Sequence, residues 1–143
     1  KNFFDFVRRH DPDVIQGHNV DGFDNPYIVK RFKSLTGTYP NMGRFKNEQT
    51  SISTYKMTET VRIAGRVILD SCSTLQKDRK EPSHKLDDLA LKYLNEKKID
   101  CTYGDIRKHF ETKEGRTFLA TYCVKDSWLS HKLLKYFNKC FLC

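Results

Sequence analysis

The last part of the chain contains the pattern that constrains the fold most. Between residues 116 and 138, apolar side chains recur at spacings of three and four, which predicts one long amphipathic helix. One face of this helix carries Phe118, Tyr122, Asp126, Leu129, Leu133 and Phe137. Asp126 interrupts that face, and burying a carboxylate is unfavourable unless a cation, a metal or several donors compensate it. Asp126 is therefore either a functional acid or the ion-pair partner of a lysine such as Lys125 or Lys132.

The rest of the sequence mixes helical and strand patterns, which predicts the α/β class in one domain over residues 1–143. The expected elements are a helix near 3–7, a strand at 14–15, a helix from Pro26 to Gly37, a hairpin region at about 51–70, a helix from Ser83 to Leu94, a helical turn at 106–110 and the helix at about 116–138. Within the hairpin region, 61–63 should pair with 67–69 across a turn at 64–66. Ser83 is the expected cap of its helix.

Composition narrows the class of partner and compartment. The 143 residues suffice for one core and carry a net charge of +8, which favours polyanionic partners or simply gives a solvated basic surface. No apolar run is long enough for a membrane span, so we expect no membrane partner. Five cysteines, an odd number, predict a reducing intracellular compartment. Cys140 and Cys143 lack a second ligand pair at zinc spacing and are interpreted as buried or idle thiols.

A second unusual segment follows the strand at 14–15. Residues 17–26 read Gly-His-Asn-Val-Asp-Gly-Phe-Asp-Asn-Pro, and loops after strands are where open α/β sheets bind ligands. The same residues have a structural interpretation, because Asp24 and Asn25 before Pro26 are typical helix N-cap residues. Taken alone, these residues do not distinguish a ligand-binding loop from a helix N-cap.

Together the two segments resemble a known family. Residues 11–28 are similar to the second exonuclease motif of family B DNA polymerases, and residues 122–126, Tyr-Cys-Val-Lys-Asp, resemble the third. Residues 65–70 and 83–94 resemble the intervening segments, so the likeness runs from 11 to about 136. It implies an RNase H-like α/β exonuclease fold of the DEDDy group. No Asp-x-Glu first motif precedes the second, and we expect a domain truncated at its N-terminus.

The resemblance implies a proofreading 3′ to 5′ exonuclease within a DNA-directed DNA polymerase, with the nucleus or a virus-associated replication site as the candidate locations. Asp24 and Asp126 would bind two Mg²⁺ ions, or Mn²⁺, because hard cations prefer oxygen ligands. Tyr122 would orient the attacking water. The residues expected to contact the single-stranded 3′ primer end are His18, Asn19, Phe23 and Tyr27. Core packing is the alternative role for Phe23.

Further expectations concern geometry and rival functions. Asp24 and Asp126 should approach each other across a cleft at the carboxyl end of a strand. Other partners would be the remaining polymerase domains, and this piece alone should be nearly inactive, since two of four family carboxylates are absent. The rivals are a catalytically silent, structural or DNA-binding exonuclease-like domain and a general basic nucleic-acid module.

Overall fold

A computed structural model describes residues 2–45, 48, 50–55 and 58–137. Contacts between Cα atoms divide the chain into two compact units, Lys1–Asp70 and Ser71–Cys143. Helices and strands are mixed, so the predicted α/β class is confirmed. The expectation of one domain stays a prediction. No described helix combines the length and apolar character needed to cross a bilayer.

The first unit contains helices, strands and one wide helical turn. Its elements are α1 (Asn2–His10), β1 (Val14–Gly17), a π-helical turn (Val20–Asp24), α2 (Asn25–Thr36), β2 (Ser51–Tyr55), β3 (Thr58–Arg62) and β4 (Val67–Asp70). Helix α1 ends at the predicted Asp-Pro-Asp, where Asp11 adopts a φ of 45° before Pro12. Helix α2 ends at Gly37, whose φ of 76° is the left-handed conformation that glycine adopts readily.

Two strand pairs form in the described part of this unit. Strand β1 runs parallel to β4, with Gly17 opposite Asp70. Strands β2 and β3 form an antiparallel hairpin, with Ser51 opposite Arg62. This pairing corrects one expectation: the turn at 64–66 is present, but 61–63 and 67–69 do not pair across it.

Arg66 explains why the chain leaves the hairpin at that turn. Its side chain is 1% exposed, and its guanidinium donates to the carbonyl oxygens of Met42 at 2.7 Å and Pro12 at 2.5 Å. Just beyond it, the Val67 amide donates to the Asp13 carbonyl at 2.9 Å. These bonds direct the chain toward β1, so a local turn serves a long-range parallel pairing. The buried core of this unit consists of Phe4, Val7, Val29, Met42, Val61 and Ile63.

The second unit is helical in its described residues. It contains α3 (Ser71–Asp78), α4 (Leu86–Leu94), α5 (Tyr103–Glu111) and α6 (Lys113–Tyr136). Its core consists of Leu75, Leu86, Leu89, Ala90, Leu129 and Leu133. The predicted amphipathic pattern of the last helix is confirmed, and α6 begins three residues earlier because Thr112 Oγ1 accepts from the Gly115 amide at 3.0 Å.

Three local expectations for this unit are corrected. Helix α3 was not expected, because Ser71–Asp78 is polar and Leu75 is its one large buried side chain among the described residues. Helix α4 begins at Leu86 with Lys85 as N-cap, while the Ser83 hydroxyl donates to Asp88 at 2.5 Å. Helix α5 spans nine residues rather than the expected brief turn.

Candidate functional site

The loop that carries Asp24 has an unusual backbone. After β1, Asn19 adopts a left-handed conformation with φ 61° and ψ 27°. The amide of Phe23 donates to the Asn19 carbonyl at 3.0 Å, and the Asn25 amide donates to the Val20 carbonyl, which closes the π-helical turn. The turn leads directly into α2, so it fixes the direction in which the residues before that helix point.

Two glycines make this compact loop possible. A Cβ on Gly17 would lie 2.1 Å from Val20 Cγ1, and one on Gly22 would lie 2.5 Å from Asn19 Oδ1. Both distances are far below van der Waals contact. Gly17 therefore lets the backbone pack closely against the Val20 side chain, whereas a Cβ at Gly22 would require the Asn19 amide group to move.

Asp24 occupies the N-cap position of α2 but does not act as a cap. Its dihedral angles are helical, φ −66° and ψ −49°, and among the described residues its side chain makes no capping hydrogen bond. The N-cap interpretation therefore does not account for this acid. The Asp24 residue is exposed, but desolvation of its carboxyl still raises the pKa of that group. A backbone hydrogen bond opposes this, and the charge of Asp70 raises the pKa further.

Asp70 is a buried carboxylate beside this loop that sequence reasoning did not select. It ends β4, is 4% exposed, and accepts the backbone N–H of Asn19 at 2.8 Å and of Asp21 at 3.0 Å. A signal was present in the sequence: Asp70 directly follows the apolar Val67-Ile68-Leu69, where the carboxyl end of a strand is expected.

Phe23 and Tyr27 form an exposed aromatic pair one helical turn apart. Their side chains are 58% and 59% exposed, and the rings are stacked with centroids 6.2 Å apart and an interplanar angle of 7°. Core packing is therefore wrong as the role of Phe23. Of the other two residues predicted to contact DNA, His18 is half-buried and Asn19 is exposed.

Asp126 lies in a polar cluster on α6 of the second unit. Lys98 Nζ is 2.8 Å from Asp126 Oδ2 and 3.5 Å from the Tyr122 hydroxyl. The acid and the phenol lie one helical turn apart, as predicted. Asp126 does pair with a lysine, as the ion-pair alternative predicted, but the two lysines named for it were wrong: Lys125 and Lys132 both pair with Glu96, each at 2.5 Å.

Lys98 was missed by sequence reasoning. Nothing in the run Glu-Lys-Lys-Ile-Asp at 96–100 distinguishes it from Lys97. Burial lowers the pKa of Lys98, but the hydrogen bond and charge of Asp126, with a smaller contribution from Tyr122, outweigh this and raise the pKa overall. Lys98 is therefore a cation that fixes one oxygen of Asp126 and lies close to the phenol.

The other oxygen of Asp126 tests whether this cluster suits a metal ion. Asp126 Oδ1 is buried and has no hydrogen-bond partner among the described residues. Burying a carboxylate oxygen in that state is unfavourable unless a cation or a hydrogen-bond donor reaches it. Asp126 Oδ1 therefore suits a hard divalent cation, which prefers oxygen ligands. Across the part of the chain that the structure describes, no three His, Cys, Asp or Glu side chains cluster closely enough to hold a metal.

Several expectations for the site stay predictions. These are the metal-binding roles of Asp24 and Asp126, the role of Tyr122, and the distance between the two carboxylates. Cys140 and Cys143 lie outside the described residues.

Comparison with known proteins identifies the class to which this α/β chain belongs. Residues 1–89 match the sequence model of the family described as DNA polymerase family B, exonuclease domain. The chain belongs to this family, which confirms the resemblance found in the sequence and supports the RNase H-like fold. Exonuclease domains of this family depend on metal ions in general.

Individual relatives agree with that assignment. The chain is 36% identical over 140 residues to the DNA polymerase delta catalytic subunit of Schizosaccharomyces pombe, and 36% identical over 141 residues to that of Oryza sativa subsp. japonica. It is 33% identical over 142 residues to the DNA polymerase catalytic subunit of Elephantid herpesvirus 1. These matches cover 90%, 91% and 93% of the chain and 13% of each relative, so the chain spans about an eighth of their length.

Proposed function

We propose that this chain belongs to a proofreading 3′ to 5′ exonuclease domain that hydrolyses 3′-terminal nucleotides of DNA. The observation that carries the proposal is Asp126 Oδ1, a buried oxygen that lacks a hydrogen-bond partner in the described structure. It lies on the helix that the third exonuclease motif predicts, with Tyr122 and Lys98 beside it. A divalent cation at this oxygen would compensate the cost of burying it.

Asp24 and Asp126 are the proposed ligands of Mg²⁺ or Mn²⁺. Two observations support a ligand role for Asp24: its carboxyl is partly desolvated, and its side chain makes no capping hydrogen bond within the described structure. Two bound ions would supply charge neutralisation on the phosphodiester and an activated water at neutral pH.

Tyr122 and Lys98 have proposed roles that follow from their distances. The Tyr122 hydroxyl would orient the attacking water by hydrogen bonding. An ordinary phenol has a pKa of about 10, which makes it a poor base at neutral pH. Lys98 would restrict Asp126 and Tyr122 together, because its ammonium lies within 2.8 Å of one and 3.5 Å of the other.

The exposed rings of Phe23 and Tyr27 are the proposed contacts for single-stranded DNA. Aromatic faces stack on any base, and such stacking contributes about 1–3 kcal/mol per base without requiring a particular sequence. His18 and Asn19 precede them in the same loop and offer polar groups for the sugar-phosphate chain. The net charge of +8 favours attraction of the polyanion.

The proposal extends to a longer protein. The relatives named above are polymerase catalytic subunits much longer than this chain. We propose that the chain is part of a family B DNA polymerase and that the remaining polymerase domains are its partners. We also propose a reducing intracellular compartment, on the odd number of cysteines in the sequence.

The test uses Asp126→Ala in the full-length polymerase, with Glu114→Ala in the first turn of the same helix as the control. Loss of a metal ligand should reduce degradation of single-stranded DNA by more than about 100-fold, because changes to residues that merely support metal ligands already cost about 10- to 100-fold. Polymerisation should persist, and Glu114→Ala should behave like the wild type.

Other outcomes contradict the proposal. A folded Asp126→Ala protein that degrades primer ends at the wild-type rate would make Asp126 only a salt-bridge residue. If the wild-type protein binds single-stranded DNA but does not degrade it with either metal ion, the silent DNA-binding alternative is correct.

A further inference from the structure

We propose that Asp70 is a positioning residue for this exonuclease site. It holds the backbone of residues 18–24 so that Asp24 and Phe23 are presented in a fixed geometry. This inference rests on the proposed function, because it assigns a role to the loop that carries one proposed metal ligand. Asp70 is not one of the residues that the motifs selected.

The register of the parallel strands puts Asp70 where it can act on the loop. Gly17 and Asp70 are opposite each other at the carboxyl ends of β1 and β4. After Gly17 the chain passes the end of β4, where the Asp70 carboxylate accepts hydrogen bonds from its backbone amides. The hydrogen bonds from the Asn19 and Asp21 amides are 2.8 and 3.0 Å long.

A carboxylate suits this position better than any neutral side chain. The amides of Asn19 and Asp21 donate to different oxygens of Asp70, so both oxygens must be acceptors. An asparagine would keep one acceptor and turn an NH₂ group toward the other amide. Because Asp70 is 4% exposed, the charged hydrogen bonds also offset the desolvation of its carboxylate.

The loop needs such support because its backbone departs from regular helix and strand geometry. Asn19 has a φ of 61°, and a π-helical turn follows it immediately. Left-handed and π-helical backbone persists when surrounding structure determines it. The two bonds to Asp70 fall at the left-handed residue and inside the turn, which are the places where the chain departs most from ordinary geometry.

Asp70 is not itself assigned as a metal ligand. Its Oδ1 and Oδ2 each already accept a backbone amide. Occupation of both oxygens by protein donors is expected of a residue that holds other groups in place. The test must nevertheless separate positioning from direct metal binding.

The experiment compares Asp70→Asn with Asp100→Asn, an exposed acid changed in the same way, in the full-length polymerase. Backbone hydrogen exchange should accelerate in a peptide covering 17–25 and stay unchanged in peptides from α6. Exonuclease activity should fall about 10- to 100-fold, as for other groups that orient metal ligands. The Mn²⁺ concentration giving half-maximal activity should rise, polymerisation should be unchanged, and Asp100→Asn should match the wild type in every measurement.

Three outcomes overturn the inference. Loss of activity as complete as in Asp24→Asn, with unchanged exchange at 17–25, would make Asp70 a metal ligand. Activity that falls only in proportion to folded protein, with an unchanged Mn²⁺ requirement, would make it merely structural. Unchanged hydrogen exchange together with unchanged activity would show that Asp70 neither positions the loop nor binds the metal. If Asp126→Ala shows that the protein is not an exonuclease, exchange at 17–25 still tests whether Asp70 holds the loop.

Discussion

The two proposed metal ligands are held by different kinds of structure. Asp24 lies after a loop whose shape depends on two glycines and on hydrogen bonds to Asp70, far away in sequence. Asp126 lies within a regular helix of 24 residues, and its neighbour Tyr122 is one turn away. The loop acid therefore depends on long-range bonds, whereas the helix acid depends mainly on local periodicity and one lysine.

The energetic surroundings of the two acids differ as well. The folded protein opposes the charge of Asp24, whose pKa is raised by partial burial and by Asp70. Asp126 instead forms an ion pair with Lys98, whose Nζ lies 2.8 Å from its Oδ2. Both residues are proposed metal ligands, but neutralising each one should therefore have a different effect on the stability of the fold.

The largest expected effects come from Asp24→Asn and Asp126→Asn in the full-length protein. Each should reduce exonuclease activity by more than about 100-fold, since each removes a ligand charge rather than a supporting group. Their melting temperatures should change differently relative to the wild type. A carboxyl group with a raised pKa destabilises the fold when ionised, so Asp24→Asn should leave the melting temperature equal or higher. Asp126→Asn should lower it, because Lys98 loses its partner.

Single-turnover digestion of single-stranded DNA and thermal melts on the same samples check this prediction. Equal decreases in melting temperature for both variants would contradict the difference in surroundings. Full exonuclease activity in either variant would contradict the ligand assignment for that residue.

The next effect concerns the close packing of the loop. Gly17→Ala places a methyl group where Val20 Cγ1 would be 2.1 Å away, and overpacking of this kind costs about 1–3 kcal/mol. The double variant Gly17→Ala, Val20→Ala should recover most of the loss. Gly104→Ala, in the first turn of α5 with the nearest atom 4.0 Å away, should leave stability equal or raise it by up to about 1 kcal/mol. Denaturant unfolding measures all three, and failure of Val20→Ala to rescue would show that this contact does not limit the loop.

A smaller effect is expected at the helix acid. Lys98→Met removes the ammonium near Asp126 and Tyr122 but keeps a long apolar stem. Exonuclease activity should fall about 10-fold, at the low end of the range for groups that orient metal ligands. Lys97→Met is the matched control on the neighbouring exposed residue. Equal activity in the two variants would mean that the 2.8 Å ion pair has no part in positioning.

The smallest effect is a pH dependence of stability in the second unit. Hydrogen bonds from Lys125 and Lys132 lower the pKa of Glu96. The stabilisation is therefore present above the ordinary glutamate pKa of about 4.3 and is lost as the pH falls through the lowered value. The wild-type melting temperature should fall more steeply than that of Glu96→Gln between about pH 5 and pH 3. Glu111→Gln, an exposed control, should follow the wild type, and parallel curves for all three proteins would contradict the prediction.

Sequence reasoning succeeded where structure is local. The spacing of apolar residues predicted α6 and placed Tyr122 and Asp126 on one helix, because helical periodicity depends on near neighbours. It failed for the partner of Asp126, since Lys125 and Lys132 are close in sequence while Lys98 reaches the acid only through the fold. The polar helix α3 was missed for a related reason: Leu75 alone gives no periodic stripe.

The strands show the same limit more clearly. Residues 61–63 and 67–69 are short apolar runs on either side of a real turn, which is the usual signature of a hairpin. The competing pairing of β4 with β1 depends on Arg66 and on carbonyl groups more than 20 residues earlier. No local pattern carries that information. Asp70 was missed with it, because its importance follows from the register of those two strands.

The Asp70 bonds also have a consequence for the order of folding. They join residues 51 and 49 positions apart, whereas Asp126 and Tyr122 are four positions apart. A helix can form as soon as its own residues are available, but closing a long loop must wait for both ends. On the ribosome, the segment before α2 therefore cannot take its final shape until β4 has been synthesised and has joined β1. Slow translation between these strands would prolong the time in which that segment is unformed.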